Sequence, residues 1–483
     1  MNIRRFALGE GKCSTHALSS IVFTAGFTTA VILPFYLYLF GAGIFWEFLG
    51  IAICTLVVWG VESYPLMRYT RKSGKILTLP GYYEYRFKSR GGLLRLFASV
   101  EIIVISVVLA ALFVKELSII LGVIFDIETN KCMAIVLILL SGLLGYFGIN
   151  LIYKTAWAKA VILVFGISFI LFYMVSTLGA EGLMKNLMSS DITGSVSRYL
   201  NVLYHNGKLL EPEDFVSLIS MGLLASGMPF MLGIFFAQKG PKSINKGRRV
   251  IIIFSIILFE AAFFMGAVSR GYLYPEKLTN SLSRYFYLLF TKLYNESGTG
   301  RFASFILILV IVIGFVTAIE GAMHVVITSI YEDIITCGKL IKVNPKKSRR
   351  DLIIISFIVG LTVLLVGAYI EQMSISVIIT FIATLGCSVS PTVFLSLVWK
   401  RMNSAGCMAG LVGGLLAVPF FKFTPFLMLG GERVSLCDML GINSVIPSMI
   451  TTILFVVFVS LITEKPDEKI EKEFREIKSR ISE

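Results

Sequence analysis

Twelve apolar runs, each close to the length that a bilayer demands, leave this chain little choice of solvent. They fall at 15–40, 43–64, 93–123, 131–150, 155–178, 213–238, 248–273, 302–334, 351–372, 375–398, 404–422 and 443–463. A membrane-spanning helix needs about 20 mainly apolar residues, because the hydrocarbon core is about 30 Å thick. Hydrophobic residues make up 56% of the 483 and charged residues 15%, against roughly 45–50% and about 25% in a soluble domain. No water-soluble fold of this length has a core large enough to hide that surface. The expectation is an all-α polytopic membrane protein of about 12 transmembrane helices, with the lipid bilayer as its partner.

The polar remainder is informative about topology. A net charge of +14 would suggest nucleic acid in a soluble protein, but in a membrane protein it belongs to cytoplasmic loops, and no nucleic-acid partner is expected. Twelve spans place both termini on one side. If that side is the cytoplasm, its segments hold 31 of the 44 Lys and Arg, as the positive-inside rule requires. The localisation read from this is the plasma (inner) membrane, multi-pass, both termini cytoplasmic. Met1 to Lys12 is charged and polar, so no cleavable signal peptide is read there. The stretches 179–212 and 274–301 read as short surface helices, and the tail 464–483 as a solvated charged helix or disorder. Seven Cys, at 13, 54, 132, 337, 387, 407 and 437, form no CxxC, and three His form no HExxH. Neither a metal cluster, a disulfide framework nor an enzyme is indicated.

A bilayer offers no water to orphan backbone groups, so interrupted helices are tolerated only where they line a cavity. Two spans carry interruptions. The first has Thr24-Ala25-Gly26-Phe27-Thr28-Thr29, with Pro34 beyond; the sixth has Gly222, then Ala225-Ser226-Gly227-Met228-Pro229. Broken helices 1 and 6, five spans apart, are the pattern of a 5+5 inverted-repeat core that binds solute near the midplane. Gly and Pro are also simply common in membrane helices. The repeat reading divides the chain into an N-terminus 1–14, a first repeat 15–178, an external loop 179–212, a second repeat 213–398, two further helices 399–463 and the tail 464–483.

Four stretches, in order, resemble one family. They are FALGEGKCSTHALSS (6–20), LTLPGYYEYRF (77–87), GMPFMLGIFFAQKGPKSINKGRR (227–249) and GCSVSPTVFLSLVWKRMNSAGCMAGLVGG (386–414). Together they resemble the sodium/solute symporter family, which includes bacterial proline carriers. The resemblance runs from about Phe6 to Phe421; the family's usual extra N-terminal helix is not read here. It implies the leucine-transporter-like fold and alternating access, in which a bundle of core helices 1, 2, 6 and 7 rocks against a scaffold including 3, 4, 8 and 9. It implies a small organic solute, an amino acid or similar, held near Val22, Thr24, Gly26, Leu109, Met221, Ala225 and Gly227. Family proline carriers have aromatic residues at positions matched here by Leu109, Met221 and Ala225, and an Arg where Ile234 stands. The implied site is therefore more aliphatic than a proline site.

The resemblance also implies a sodium position, set against Val22, Ala25, Lys159, Thr317, Ala318, Glu320 and His324, and here the sequence departs. Where the family reads Trp-Thr-Asp on core helix 5, this chain has Trp157-Ala158-Lys159. Two adjacent hydroxyls on core helix 8 are matched by Thr317 and Ala318, so one survives, and Glu320 stands where a small polar residue is usual. A degraded sodium site follows, with Na+ or H+ left open as coupling ion and no other cofactor. Thr317, Glu320 and His324 share one helix face and form a candidate proton relay. Three readings of the charges stay open: coupling through Lys159 and Glu320, a structural ion pair, or a Lys159 that snorkels to the headgroups. Glu62, Glu101 and Glu260 are further intramembrane acids, the last near a midplane, while Lys115-Glu116 reads as solvated near a span end.

The leading expectation is a secondary active transporter, with sodium coupling as the family default. The alternatives are a proton-coupled or uncoupled carrier using Lys159 and Glu320, or a non-transporting membrane sensor. A sensor would need a partner protein, since the tail is too short to signal by itself. Oligomeric state is not legible.

Overall fold

The computed structural model describes residues 3–9, 26–89, 91–190, 195–238, 240–276, 280–296, 298–337, 348–370, 375–429 and 432–479. Helix dominates. After α1 (Ile3–Leu8), the described part of the first span is a π-helical turn, Thr28–Ile32, running into α2 (Leu33–Phe40). Gly41, at φ 83°, turns the chain into α3 (Phe45–Val57), which passes through a second π turn, Val58–Glu62, into α4 (Ser63–Ser73). Then come the short α5 (Leu79–Phe87) and the long α6 (Leu93–Phe125), α7 (Thr129–Phe147) and α8 (Ile149–Ser189). The loop that follows carries α9 (Val196–Tyr199) and the hairpin β1 (Tyr204–His205) and β2 (Lys208–Leu209).

The sixth span is broken. It comprises α10 (Pro212–Leu223), a 3-10 turn Leu224–Gly227, extended Met228 and α11 (Pro229–Phe236). The chain continues through α12 (Pro241–Leu273), α13 (Leu282–Asn295) and α14 (Gly298–Ser329), which ends in a π turn, Ile330–Thr336. It closes with α15 (Ser348–Tyr369), α16 (Ile375–Val398), α17 (Ser404–Phe423), the hairpin β3 (Pro425–Leu429) and β4 (Glu432–Ser435), α18 (Leu436–Leu440), α19 (Val445–Ile462) and α20 (Glu468–Ser479). Among the described residues, ten helices are long and apolar enough to cross a membrane. Their outward faces carry Phe165, Phe172 and Phe458, each more than 60% exposed, a surface that only lipid would cover.

The break in span 6 has a local cause. Pro229 has no amide to donate and its ring obstructs the carbonyl four residues back, so it must start a helix rather than continue one. A glycine precedes the break because the backbones touch: a Cβ on Gly227 would lie 2.8 Å from the Gly386 Cα of α16. The Ser226 and Ser390 hydroxyls hydrogen-bond across the same contact. Gly222 and Gly50 bring α10 and α3 equally close, since a Cβ on either would strike the other helix's backbone. The expected interruption of span 1 covers Thr24 to Thr29: Thr24 and Ala25 lie outside the described residues, while Gly26 to Thr29 are helical and pass into the π turn.

Two of the four family-like stretches meet at one face of the molecule, where the ends of the chain also gather. Tyr82 and Tyr83 of α5 reach the hydroxyls of Ser396 and Thr392 on α16 at 2.9 and 2.8 Å. The Arg86 Nε donates to the Ser396 carbonyl at 3.0 Å. Beside them Arg95 of α6 donates to Glu84 at 2.8 Å and to Asp333 at 2.7 Å, and Thr78 donates to the same Asp333 oxygen at 2.7 Å. The Asp333 side chain is 0% exposed.

The tail is not solvated on all sides. Ile470, Phe474 and Ile477 of α20, spaced as one helix stripe, are buried against α4 and α5. The Phe474 ring centre lies 4.8 Å from the Arg86 guanidinium, Arg68 donates to the Ile477 carbonyl at 2.7 Å, and Tyr85 donates to Glu473 at 2.7 Å. Burial and that hydrogen bond raise the pKa of the Tyr85 hydroxyl. The N-terminal segment is likewise packed in: Phe6 of α1 is 0% exposed.

Two outcomes follow. Arg95→Ala leaves Asp333 a buried, half-satisfied charge and should lower stability by about 3–5 kcal/mol; adding Asp333→Asn should recover most of it, read as melting temperature in detergent. Phe474→Asp should free α20 and expose Lys469 and Lys472 to trypsin. Lys72→Ala, which removes only a half-exposed pair with Glu476, should not.

Candidate functional site

The helix break, α2 and its π turn, α3, α6, α14 and α16 enclose a cavity of about 150 Å³. An engineered hole of about that size in another protein binds benzene. The wall is mostly apolar. Phe27, Phe48, Phe113 and Phe230 supply rings, and Leu109, Met221, Met228 and Ile382 supply aliphatic surface. Its described polar groups are Thr28, Tyr36, Glu47 and Ser106. Phe27 is fixed edge-on by Phe113 at 4.7 Å and Phe315 at 5.1 Å between ring centres.

A second cavity, about 40 Å³, lies in series with the first and shares Pro229, Phe230 and Val325 with it. Ala7, Thr78, His324 and Thr328 are among its walls. Beyond it sits α1. The Phe6 ring stacks on His324 at 5.6 Å, and the His324 Nε2 lies 3.2 Å from the Phe6 carbonyl. Gly148, at φ 58°, has no side chain because Phe6 fills that space. On the opposite face the 195–210 loop covers the turn between α2 and α3. Tyr199 donates to the Leu37 carbonyl at 2.9 Å, Trp46 to the Val202 carbonyl at 2.8 Å, and the Asn206 amide to the Phe40 carbonyl at 2.8 Å. His205 stacks on Phe40 at 5.2 Å, and its burial lowers the imidazole pKa.

The candidate residues separate into groups. Leu109, Met221 and Ala318 line the central cavity. Gly26 and Gly227 do not, but each directly precedes residues that do. The Gly26 carbonyl is packed against α14, where a Cβ on Gly314 would lie 2.8 Å from it. Ala225 belongs to the 3-10 turn. Val22, Thr24 and Ala25 lie outside the described residues. Ile234 is buried in an apolar cluster with Ile149, Ile152, Tyr153 and Phe230 and does not itself line the central cavity.

Lys159 of α8 and Glu320 of α14 form an ion pair, their side chains 11% and 4% exposed. Lys159 thus points to a neighbouring helix rather than to the headgroups. Along the stripe that could relay a proton, Thr317, Glu320 and His324 form no hydrogen bond with one another. Thr317 donates to the Ile313 carbonyl at 2.7 Å, Glu320 is held by Lys159, and His324 turns to Phe6 and Thr328. Each polar group satisfies its own neighbour first, because an unpaired one in this setting is costly.

Other charges depart from their sequence reading. Lys115 is not solvated: its ammonium donates to the carbonyls of Gly367 at 3.0 Å and Ile370 at 2.6 Å, capping the end of α15. Glu260 is exposed on the outer face of α12, away from the cavity. Glu62 and Glu101 are buried, and neither Glu101 oxygen accepts a hydrogen bond from a described residue. Sequence reasoning passed over Glu47, Tyr36, Phe230 and Phe6. Glu47 sits in the first turn of α3, where an acid reads as a helix-end residue facing water. Its place on a cavity wall depends on helices distant in sequence.

The architecture and the sequence both have known counterparts. The chain superposes on a solved Na+-coupled sialic acid symporter, in a substrate-bound outward-open state, with a TM-score of 0.73 at 14% identity, covering 96% of this chain and 93% of that one. It is 24% identical over 466 residues to a sodium/proline symporter of Haemophilus influenzae, covering 92% of this chain and 88% of that protein. It is 24% identical over 450 residues to the high-affinity proline transporter PutP of Bacillus subtilis, covering 90% and 87%. The family model described as the sodium:solute symporter family matches residues 17–414. That match takes in the broken span 6, the cavity walls and the Lys159–Glu320 pair, and the chain belongs to the sodium:solute symporter family.

Proposed function

We propose that this multi-pass membrane protein carries a small organic solute by sodium-coupled alternating access through the central cavity. The observation that carries the reading is the pair of cavities in series. One is solute-sized and lies at the helix break. The other is small and closed by α1, and Phe230 stands between them. A bundle of the first, second, sixth and seventh spans would rock against the third, fourth, eighth and ninth, opening one end as the other closes. The two repeats, 15–178 and 213–398, supply the halves. Freed backbone groups around Gly227 and Met228 meet the solute without bringing a charge. The Lys and Arg bias puts α1 and α20 on the cytoplasmic side of the plasma membrane.

Sodium needs oxygen ligands. Candidates are the Gly26 carbonyl, which meets α14 at Gly314, and the Thr317 hydroxyl on that helix, with Val22 and Ala25 as further candidates. We assign Lys159 the part of a fixed cation. Its ammonium occupies a family ion position and Glu320 balances it, so fewer sodium ions accompany each solute. A second reading, favoured by burial of that same pair, is coupling to a proton passed between Lys159 and Glu320.

Uptake into liposomes separates these. With proline and a panel of small solutes, the wild type should accumulate its solute under an inward sodium gradient and ignore a pH gradient. Accumulation that follows the pH gradient and is lost in Lys159→Met/Glu320→Gln would replace the first reading by the second. Stability gives an independent check. Lys159→Ala alone strands a buried carboxylate and should cost about 3–5 kcal/mol, while the neutral double variant should melt close to the wild type.

A further inference from the structure

We propose that the solute is a small organic cation, an amine or quaternary ammonium, with Glu47 as its counter-ion; this rests on the carrier reading above. The argument begins with charge. Glu47 lies on the wall of the 150 Å³ cavity, in the first turn of α3. Among the described residues no hydrogen bond or ion pair to its carboxylate is formed. The buried pair Lys159–Glu320 is neutral as a unit, so neither member offsets it. Among the described residues the cavity wall carries no Lys, Arg or His. From the described wall itself a solute bearing only a carboxylate would meet a like charge and no opposite one, whereas a cation would meet its complement.

The rest of the wall agrees. Phe27, Tyr36, Phe48, Phe113 and Phe230 present aromatic surface to the space. Ring faces attract cations through their quadrupole, most strongly where water is excluded, and such cages recognise quaternary ammonium groups. Thr28, Ser106 and the Tyr36 hydroxyl complete the described polar set, enough for one hydroxyl or amine on the solute but not for a sugar. The volume limits the solute to about the size of benzene.

The test compares one shape with and without charge. The probes are choline, its neutral carbon isostere 3,3-dimethylbutan-1-ol, the anion 3,3-dimethylbutyrate, and proline. Each is titrated against the full-length protein by thermal shift in nanodiscs and tested for uptake in liposomes. Choline should stabilise the wild type and be accumulated, and should bind tighter than its isostere by about tenfold or more, the size of one desolvated charge contact. Glu47→Gln should abolish that preference without lowering the melting temperature of the empty protein. Glu47→Asp, which keeps the charge, should retain part of it and serves if the Gln variant does not purify. Equal binding of choline and isostere, or a preference untouched in Glu47→Gln, overturns the assignment. Sodium-driven accumulation of proline without choline binding also overturns it and leaves the carrier standing. Failure of every probe to accumulate under any gradient overturns the carrier reading, and the cation assignment with it.

Discussion

Backbone satisfaction is the constraint from which this architecture follows. In hydrocarbon an N–H or C=O without a partner costs several kcal/mol, so the chain crosses as helices and interrupts them only where protein can supply partners. Span 6 illustrates the rule. Its 3-10 turn and extended Met228 are clasped by α16 through the Gly227–Gly386 contact and the Ser226–Ser390 hydrogen bond. The Leu223 carbonyl, released by the break, accepts from the Ser226 hydroxyl at 2.8 Å. The break is thus secured on one side while it opens a cavity on the other.

Charge obeys the same accounting one level up. Lys159 has Glu320, Arg95 has Asp333 and Glu84, and Lys115 has two helix-end carbonyls. Apart from Arg95–Glu84, these pairings join helices far apart in sequence, so each ties together elements that the chain itself does not. Against that background the acids without such a partner among the described residues stand apart. Glu101 is sealed inside the helix packing, Glu260 faces outward, and Glu47 opens onto the cavity.

Much of the fold was legible because the bilayer imposes one length on every span. The twelve apolar runs align with ten long helices, the broken span and the described part of span 1. Pro229 marked its break for a reason visible in one residue. The tail misled, because its charges outnumber its apolar residues; only the spacing of Ile470, Phe474 and Ile477 betrays a docked stripe. The site was less legible. Leu109 and Met221 could be carried over from family positions, but Glu47 and Tyr36 face one space because α2 packs against α12 and α3 against α10. No local pattern encodes that. The candidate relay was read from a shared helix face alone. A shared helix face is visible in sequence, but the competing partners that claim each of its polar groups are not.

The disparity between the two cavities sets a kinetic requirement. A solute that fills about 150 Å³ has no room in about 40 Å³, a space for only a few waters. On the carrier reading, passage would require the smaller compartment to widen in each cycle, and α1, through Ala7, is one of its walls. On that reading Phe6 would leave its stack on His324 and return in each cycle. Exposing a buried Phe side chain costs about 1.5–3 kcal/mol, small enough to be recovered by closing the opposite end. On the carrier reading proposed above, α1 then serves as the seal at one end of the path.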